Sequence, residues 1–354
     1  MPSSLMLEEY SKIIDLISVS INKFSDKSIL ITGANGLVGS YIVEFLDYIN
    51  SANKMNIKIY AMSRSKVKLE KRFENHPNVE LIEQDLNKPF EQNISFDYII
   101  HAASNSHPLA FSKDPVGTMK TNLIGTMNLL DIAYNSGAKF LYISTGEIYG
   151  NNLEHPFTED DFGSVDSKIP RSCYPESKRA GETLCMSYSQ QYGIRVNVAR
   201  LCYIYGPTIT DTNSRADAQF LRNALNHEDI VLKSKGLQRR TYCYVADAVS
   251  ALLYIILNGN DNEVYNVANP NSIVSVSEYA KMLANIAGVN VKFEIPDEIE
   301  ARGYSKQADS ILNSSKLQSL GWKPFYDICE GLEHTIKLKK KVWHYVRRDK
   351  KKSL

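Results

Sequence analysis

Residues 28–49 read SILITGANGLVG followed by SYIVEFLDYI, and this segment constrains the fold more than any other. The run Ser28 to Thr32 has the length and apolar character of a buried strand. From Leu37 to Ile49 the apolar residues return at helical spacing. Between them Gly33, Gly36 and Gly39 stand in a GxxGxxG pattern. Glycine permits a tight turn and lets the backbone approach a pyrophosphate, and the helix that follows supplies amide donors and the positive end of its dipole. Gly39 lets that helix pack near the sheet. Glycine also serves turns that bind nothing. The strand before and the helix after make Gly33, Asn35, Gly36, Leu37, Val38 and Gly39 a candidate dinucleotide site.

The rest of the chain repeats this alternation. Strand-like runs at 57–63, 79–85, 96–104 and 139–147, and a strand and loop over 195–207, are separated by helical stretches, notably Pro115 to Ser136 and 174–193. That order predicts an α/β fold of the Rossmann type, a doubly wound parallel sheet with helices on both faces. Residues 5–22 have helical spacing and are expected to pack on the main body. Beyond residue 207 the order loosens. Helices are expected at Asp217 to Asn226, Val245 to Asn258 and Val276 to Ala287, with short strands at Ile230 to Lys233 and Glu263 to Ala268. The expected organisation is an N-terminal helix (1–26), a dinucleotide-binding domain (27–206, with 240–270 contributing), a smaller C-terminal α/β substrate lobe (mainly 207–335) and a basic tail (336–354).

Charge excludes a globally basic nucleic-acid binder, because 41 Lys and Arg face 40 Asp and Glu. The tail is different: from Ile336 onward nine cations face the single acid Asp349. Such an end is either a solvated, frayed terminus or a dock for an anionic surface, with Trp343, His344 and Tyr345 as an apolar handle. No apolar run reaches the roughly 18 residues that span a bilayer, and MPSSLMLEEYSKII lacks the basic start of a secretory signal. Cys173, Cys185, Cys202, Cys243 and Cys329 are odd in number and scattered, without a CxxC. That pattern suits reduced, buried thiols in a cytoplasmic protein and argues against a disulfide framework or a metal site.

Three further segments belong with the glycine turn. Asp85 and Leu86 follow one strand, where the carboxylate suits an adenine amino group. His101 ends the next strand, and the small residues Ala102, Ala103 and Ser104 let the backbone approach a cofactor. The strand after the first helix ends Met62-Ser63-Arg64-Ser65, without the acid that would bind the ribose 2′-hydroxyl of NAD. Arg64, with Lys66 and Lys68 nearby, suits a 2′-phosphate instead, so NADP stays open beside NAD.

The second chemical signal is Tyr174-Pro175-Glu176-Ser177-Lys178. Tyr and Lys four apart share one helix face, and Pro175 fits a first turn. A free phenol titrates near 10, so a Tyr base at neutral pH needs neighbouring positive charge.

With TGxxGxxG (32–39), HAA (101–103), Ser144-Thr145 before a Tyr149-Gly150 pair, YxxxK (174–178), YGP (205–207) and Arg240 to Val245, the chain resembles the extended short-chain dehydrogenase/reductase family. The likeness is to its nucleotide-sugar epimerase, dehydratase and decarboxylase branch and runs from about Lys27 to Ile336. Pro170 to Tyr174 and Gln238 to Val245 look most like UDP-glucuronate decarboxylases. The resemblance implies oxidation of a sugar at C4 with a bound nicotinamide cofactor. Tyr174 would take the hydroxyl proton, Lys178 would lower its pKa and hold the nicotinamide ribose, and Thr145 would bond the C4 oxygen. The C6 carboxylate of the resulting β-keto acid is then lost as CO2. Glu147 could act at C5, and Arg240 is the foremost candidate for the nucleotide diphosphate, ahead of Arg215 and Arg239. A homodimer through the two long helices is also implied, with Met119, Leu123, Met127 and Leu130 serving that interface or the core.

Two positions depart from the family pattern. Gly146 stands where thymidine-linked 4,6-dehydratases place a proton-donating Asp and decarboxylases usually place Ser. Tyr203 stands where a substrate-contacting Asn is usual. Epimerase and dehydratase chemistry therefore remain alternatives. A dinucleotide-binding sensor without catalysis is a different class, which usually loses the Tyr or Lys that are both present here.

Overall fold

The computed structural model describes residues 2–150, 155–294 and 309–352, with side chains as far as Lys340. The strands are β1 (Ser28–Thr32), β2 (Lys58–Ser63), β3 (Val79–Glu83), β4 (Tyr98–His101), β5 (Lys139–Thr145), β6 (Val196–Leu201), β7 (Tyr203–Tyr205), β8 (Ile230–Leu232), β9 (Arg239–Tyr244), β10 (Glu263–Val267), β11 (Ile273–Ser275) and β12 (Val291–Phe293). Seven of them form one sheet in the order β10-β6-β5-β4-β1-β2-β3. Every pairing in it is parallel. From β1 the chain first winds outward through β2 and β3. It then returns to place β4 on the other side of β1. The carboxyl ends of β1 and β4 therefore flank the switch point, where open α/β sheets form a crevice.

The helices are α1 (Ser4–Ile17), α2 (Leu37–Asn53), α3 (Lys66–Arg72), α4 (Pro108–Lys113), α5 (Pro115–Ser136), α6 (Cys173–Tyr192), α7 (Ala216–Leu225), α8 (Val245–Asn258), α9 (Val276–Ala287), α10 (Ser315–Ser319) and α11 (Ile328–Lys352). Strand alternation feeds two cores. Ile29 and Ile31 of β1 join a cluster with residues of α1, α2 and α8. Leu30 joins one with Leu129 and Leu130 of α5 and Cys185 of α6. Both faces of the sheet are thus covered, as the doubly wound expectation requires. Asp114 caps α5 through the Gly117 amide at 2.8 Å, Pro115 sits in the first turn, and Gly137 ends the helix at φ 66°. These local signals explain why the ends of this helix are legible in the sequence.

Beyond the main sheet, β7 and β11 flank β9, and β8 pairs with β12. Here the sequence reading needs correction. Residues 195–207, read as a strand and a loop, carry a second strand where the loop was expected. The Cys202 amide still bonds to Val267 at 3.1 Å, after which β7 leaves the sheet to pair with β9. The strand expected to 147 stops at Thr145, whose hydroxyl accepts the Glu147 amide at 3.2 Å and caps a 3-10 turn over Gly146–Tyr149. The N-terminal helix stops at Ile17, and a 3-10 turn follows at Ile21–Phe24. Residues 336–340 are no frayed tail: they continue α11, with Ile336 and Leu338 buried. The proposed handle Trp343, His344 and Tyr345 lies outside the described side chains.

Cys173, Cys185 and Cys243 are buried, but Cys202 is half-buried and Cys329 exposed, and all five are free thiols. On α5, Leu130 is buried and Leu123 half-buried, whereas Met119 and Met127 are exposed. Among the described residues no helix is long and apolar enough to cross a membrane.

One buried carboxylate ties the ends of the chain to the body. Glu9 of α1 is 0% exposed. It accepts the Tyr41 hydroxyl at 2.6 Å and the Tyr244 hydroxyl at 2.7 Å, and His334 Nδ1 lies 2.8 Å away. Four elements (α1, α2, the end of β9 and α11) meet on this group. Removing it strands three polar partners in the interior, which costs about 3 kcal/mol or more. Glu9→Leu is expected to lower unfolding free energy by about 3 kcal/mol in chemical denaturation, with folding retained at low temperature.

Candidate active site

The glycine turn lies at the switch point and packs against the end of β4. Gly33 has φ +67°, and a Cβ there would lie 2.7 Å from the carbonyl carbon of Ala102. A Cβ on Gly39 would lie 2.5 Å from the Gly33 oxygen. These two glycines are required by packing as much as by any ligand. Gly36 is the N-cap of α2 and offers no side-chain cap. The amides of the first turn of α2, from Leu37 and Val38, are thus open to an external acceptor. His101 is fully buried between Thr32 (2.9 Å) and Thr126 (3.1 Å). Burial holds its pKa well below the ordinary range, with Lys178 adding to the effect. It is a neutral tie between strand ends, and Ala102 and Ala103 form the wall beyond it.

One cavity begins at this turn and runs to the start of α6. Every residue selected from the sequence for cofactor or catalysis lines it, from Gly33 through Arg64, Asp85 and Ser104 to Thr145, Glu147, Tyr174 and Lys178. Tyr203 lines it too. Arg240 does not: its guanidinium lies 4.4 Å from the centroid of the Tyr203 ring. Arg239 is paired with Asp309 at 2.8 Å on the surface. Of the three arginines considered for the diphosphate, the one on the wall is Arg215, which the sequence ranked lower. Asp217 holds it through Nε (3.1 Å) and Nη2 (2.6 Å), and Nη2 also donates to the Ile204 carbonyl. Its Nη1 has no partner among the described residues. The Arg-x-Asp spacing at the start of α7 was the available signal.

The reactive end is assembled from the tip of β5 and the first two turns of α6. Tyr174 is 6% exposed and stacks on Phe111, with centroids 5.5 Å apart and planes 18° apart. Burial pushes its phenol well above 10 and Glu147 pushes it further, while Thr145, Arg215 and Arg171 act in the opposite sense. Lys178 donates to the Ile143 carbonyl at 2.7 Å and lies 4.7 Å from the Tyr142 ring centroid. Desolvation lowers it to about 8, against the opposing charge of Glu182. Glu147 is held by Arg171 at 2.6 Å, and the same guanidinium lies 4.3 Å from the Phe111 centroid. One chain of contacts therefore links Glu147, Arg171, Phe111 and Tyr174.

Sequence reasoning missed the support below. One turn past Lys178, Glu182 accepts the Ser144 hydroxyl at 2.5 Å and Arg200 Nη2 at 2.8 Å. Arg200 also donates to the Tyr149 hydroxyl at 2.8 Å. On the far side, Asn122 bridges Ser104 (2.8 Å) and Ser177 (2.9 Å), joining α5 to α6. Gly146 has a packing reason as well: a Cβ there would lie 2.8 Å from Leu312. Among the described residues no cluster of metal-ligating side chains exists.

A nicotinamide dinucleotide fits this donor set. The uncapped amides at the start of α2 would hold its pyrophosphate, the small Ala102 and Ala103 line the middle of the cavity, and Tyr174 and Lys178 lie at the far end. A lysine whose folded pKa is depressed to about 8 from 10.5 binds fewer protons than the unfolded chain between those values, so its contribution to stability grows as pH rises and is lost as pH falls through 8. Comparing wild type with Lys178→Met by denaturation at several pH values is expected to show wild type gaining on the variant between about pH 8 and 10.5.

Comparison with known proteins agrees with this geometry. Residues 29–268 match the model of the NAD dependent epimerase/dehydratase family. UDP-glucuronic acid decarboxylase 3 of Arabidopsis thaliana is 36% identical over 308 residues, covering 86% of both chains. UDP-glucuronic acid decarboxylase 1 of Xenopus tropicalis is 33% identical, over 91% of this chain and 73% of that one. A UDP-glucose 4-epimerase from Thermotoga maritima, solved with UDP-glucose, superposes with a TM-score of 0.75 at 24% identity, over 89% of this chain and 99% of that one. Its likeness is one of fold. Together with the glycine turn and the Tyr174–Lys178 pair on one cavity, these matches identify the chain as a member of the NAD dependent epimerase/dehydratase family.

Proposed function

We propose that this chain is a UDP-glucuronate decarboxylase that oxidises the sugar at C4. The observation that carries the reading is the presence of Thr145, Glu147, Tyr174 and Lys178 on the cavity that opens from the glycine turn. Relatives bearing that activity in their names match over 86% and 91% of the chain.

The amides of α2 and the turn Gly33 to Gly39 would hold the pyrophosphate, Asp85 and Leu86 the adenine, and Lys178 the nicotinamide ribose. When bound, the nicotinamide supplies reversible two-electron oxidation of a sugar carbinol. The protein's own groups do the rest. Tyr174 takes the C4 hydroxyl proton. Its phenol is raised by burial, so positive charge must gather around it for the phenolate to form. Arg171 and Arg215 already act in that sense. Thr145 orients the C4 oxygen. With a ketone at C4, the C6 carboxylate belongs to a β-keto acid and is lost as CO2. Glu147, fixed by Arg171, is the wall group able to exchange a proton near C5. Arg215 presents free N–H donors to a diphosphate, a role first assigned to Arg240. Gly146 offers no proton to a departing C6 hydroxyl, which disfavours dehydration.

A second copy of the chain is the proposed partner of the exposed apolar side of α5 and α6, where Met119, Met127 and Tyr192 are uncovered. Free thiols suit a cytoplasmic enzyme.

Incubation with UDP-glucuronate is expected to release CO2 and a UDP-pentose. Formation of UDP-galacturonate would make the enzyme a 4-epimerase, and a 4-keto-6-deoxy product from a nucleotide hexose would make it a dehydratase. Tyr174→Phe is expected to abolish turnover while dinucleotide binding survives, and full turnover in that variant would sink the reading. Arg171→Ala is expected to lower kcat by 10-fold or more, with little change in dinucleotide affinity, because it releases Glu147 and unstacks the cation from Phe111.

A further inference from the structure

The basic C-terminal end contributes no residue to the cavity. It continues α11, whose backbone is helical from Ile328 to Lys352. The root of this helix is fixed to the body. Leu332, Thr335, Ile336 and Leu338 are buried, and Lys339 donates to the Ile209 carbonyl at 2.8 Å. The 12 residues after Lys340 extend the helix by about 18 Å.

The buried positions Ile328, Leu332, Thr335 and Ile336 recur at helical spacing, and the same period carries their stripe on through Val342, Trp343 and Val346. Lys340, Lys341, Arg347, Arg348, Lys351 and Lys352 fall at positions on the other side of the helix. Arg347 and Lys351, like Arg348 and Lys352, stand four apart, a like-charge spacing that destabilises a helix in water. Anions along that side remove the repulsion. The rest of the chain has the opposite sign. Setting aside the nine cations and Asp349 of this end leaves 32 Lys and Arg against 39 Asp and Glu. A negative surface therefore repels the body and attracts this end, which orients the molecule.

An apolar stripe that includes a tryptophan, on a helix crowded with Lys and Arg, is the pattern of a helix lying in the plane of a bilayer interface. Its cations meet anionic headgroups while its apolar positions reach the acyl boundary. A nucleic acid would supply phosphates to the cations but no apolar layer for Val342, Trp343 and Val346. We propose that residues 341–352 of α11 are an interfacial helix that docks this chain on an anionic lipid bilayer. The proposal goes beyond the reaction at Tyr174 and does not depend on it.

Sedimentation of the full chain with phosphatidylcholine vesicles tests the docking. At low salt, vesicles with roughly 30% phosphatidylserine are expected to bind the chain about 10-fold or more tightly than pure phosphatidylcholine. Raising salt to about 0.5 M is expected to release it. Arg347→Ala combined with Arg348→Ala is expected to weaken binding by about 10-fold or more, with dinucleotide affinity unchanged. Tryptophan emission is expected to move to shorter wavelength on the anionic vesicles. Trp343→Phe, which leaves Trp322 buried in the core, is expected to lose that shift. Absence of binding to anionic vesicles, equal binding to neutral ones, unshifted emission from the bound chain, or tighter binding to duplex DNA or RNA than to the vesicles overturns the proposal.

Discussion

The close approach of the ends of β1 and β4 is the constraint on which the site depends. Gly33 and Ala102 leave no room for a methyl group between them, since a Cβ on Gly33 would fall 2.7 Å from the Ala102 carbonyl carbon. The tie from Thr32 to His101 to Thr126 holds the two strand ends to α5. Because the turn is packed this tightly, the N-terminus of α2 has one position relative to the sheet, and its uncapped amides point from a rigid base. A wider junction would let α2 drift, and the donors would lose the preorganisation that makes a helix terminus an anion site.

Burial sets the electrostatics at the other end. The phenol of Tyr174 and the ammonium of Lys178 both lie in low dielectric, which favours the neutral form of each. Burial raises the phenol and lowers the amine to about 8. The two groups are thereby driven apart on the pH scale, so the neutral phenol and the neutral amine are both favoured, and ionising Tyr174 needs positive charge brought up beside it. Glu182 works against this on the amine, yet it is held by Arg200 and Ser144 and so carries a satisfied charge. A buried ion pair of this kind is weak evidence for stability. Its effect here is positional: it joins α6 to β5 and β6 one turn below the reactive pair, and so fixes the register of Tyr174 against Thr145.

The parts legible in the sequence were those with local causes. The glycine turn, the YxxxK pair and the ends of α5 follow from spacing, caps and period, and each needs only neighbouring residues to be read. The second part of the molecule was harder because its strands are defined by distant partners. Tyr203–Tyr205 is three residues long and exists as a strand through pairing with Tyr242–Tyr244. The site divides in the same way. The stack of Phe111 on Tyr174 and the pair of Glu182 with Arg200 join residues far apart in sequence, and no periodicity announces them. Arg240 was chosen for its planar fork, which suits phosphate. The same planarity suits an aromatic face, and the Tyr203 ring lies beneath it.

Gly146 and Tyr203, the two departures from the family pattern, have related physical origins. A side chain at 146 requires the Leu312 side chain to shift, and Leu312 is anchored, its amide donating to the Thr241 hydroxyl at 3.1 Å and its side chain packed with Ile148, Tyr149 and Phe157. Thr241 belongs to β9, and β9 pairs with β7, which carries Tyr203. The wall beside Thr145 is therefore shaped by the β7–β9 ribbon and the segment around Leu312. A small residue at 146 is the counterpart of a leucine held by β9, and the tyrosine at 203 is the counterpart of an arginine on the same strand. The two positions are therefore coupled through β9: substituting Gly146 alone meets Leu312, and substituting Tyr203 alone removes the ring beneath Arg240.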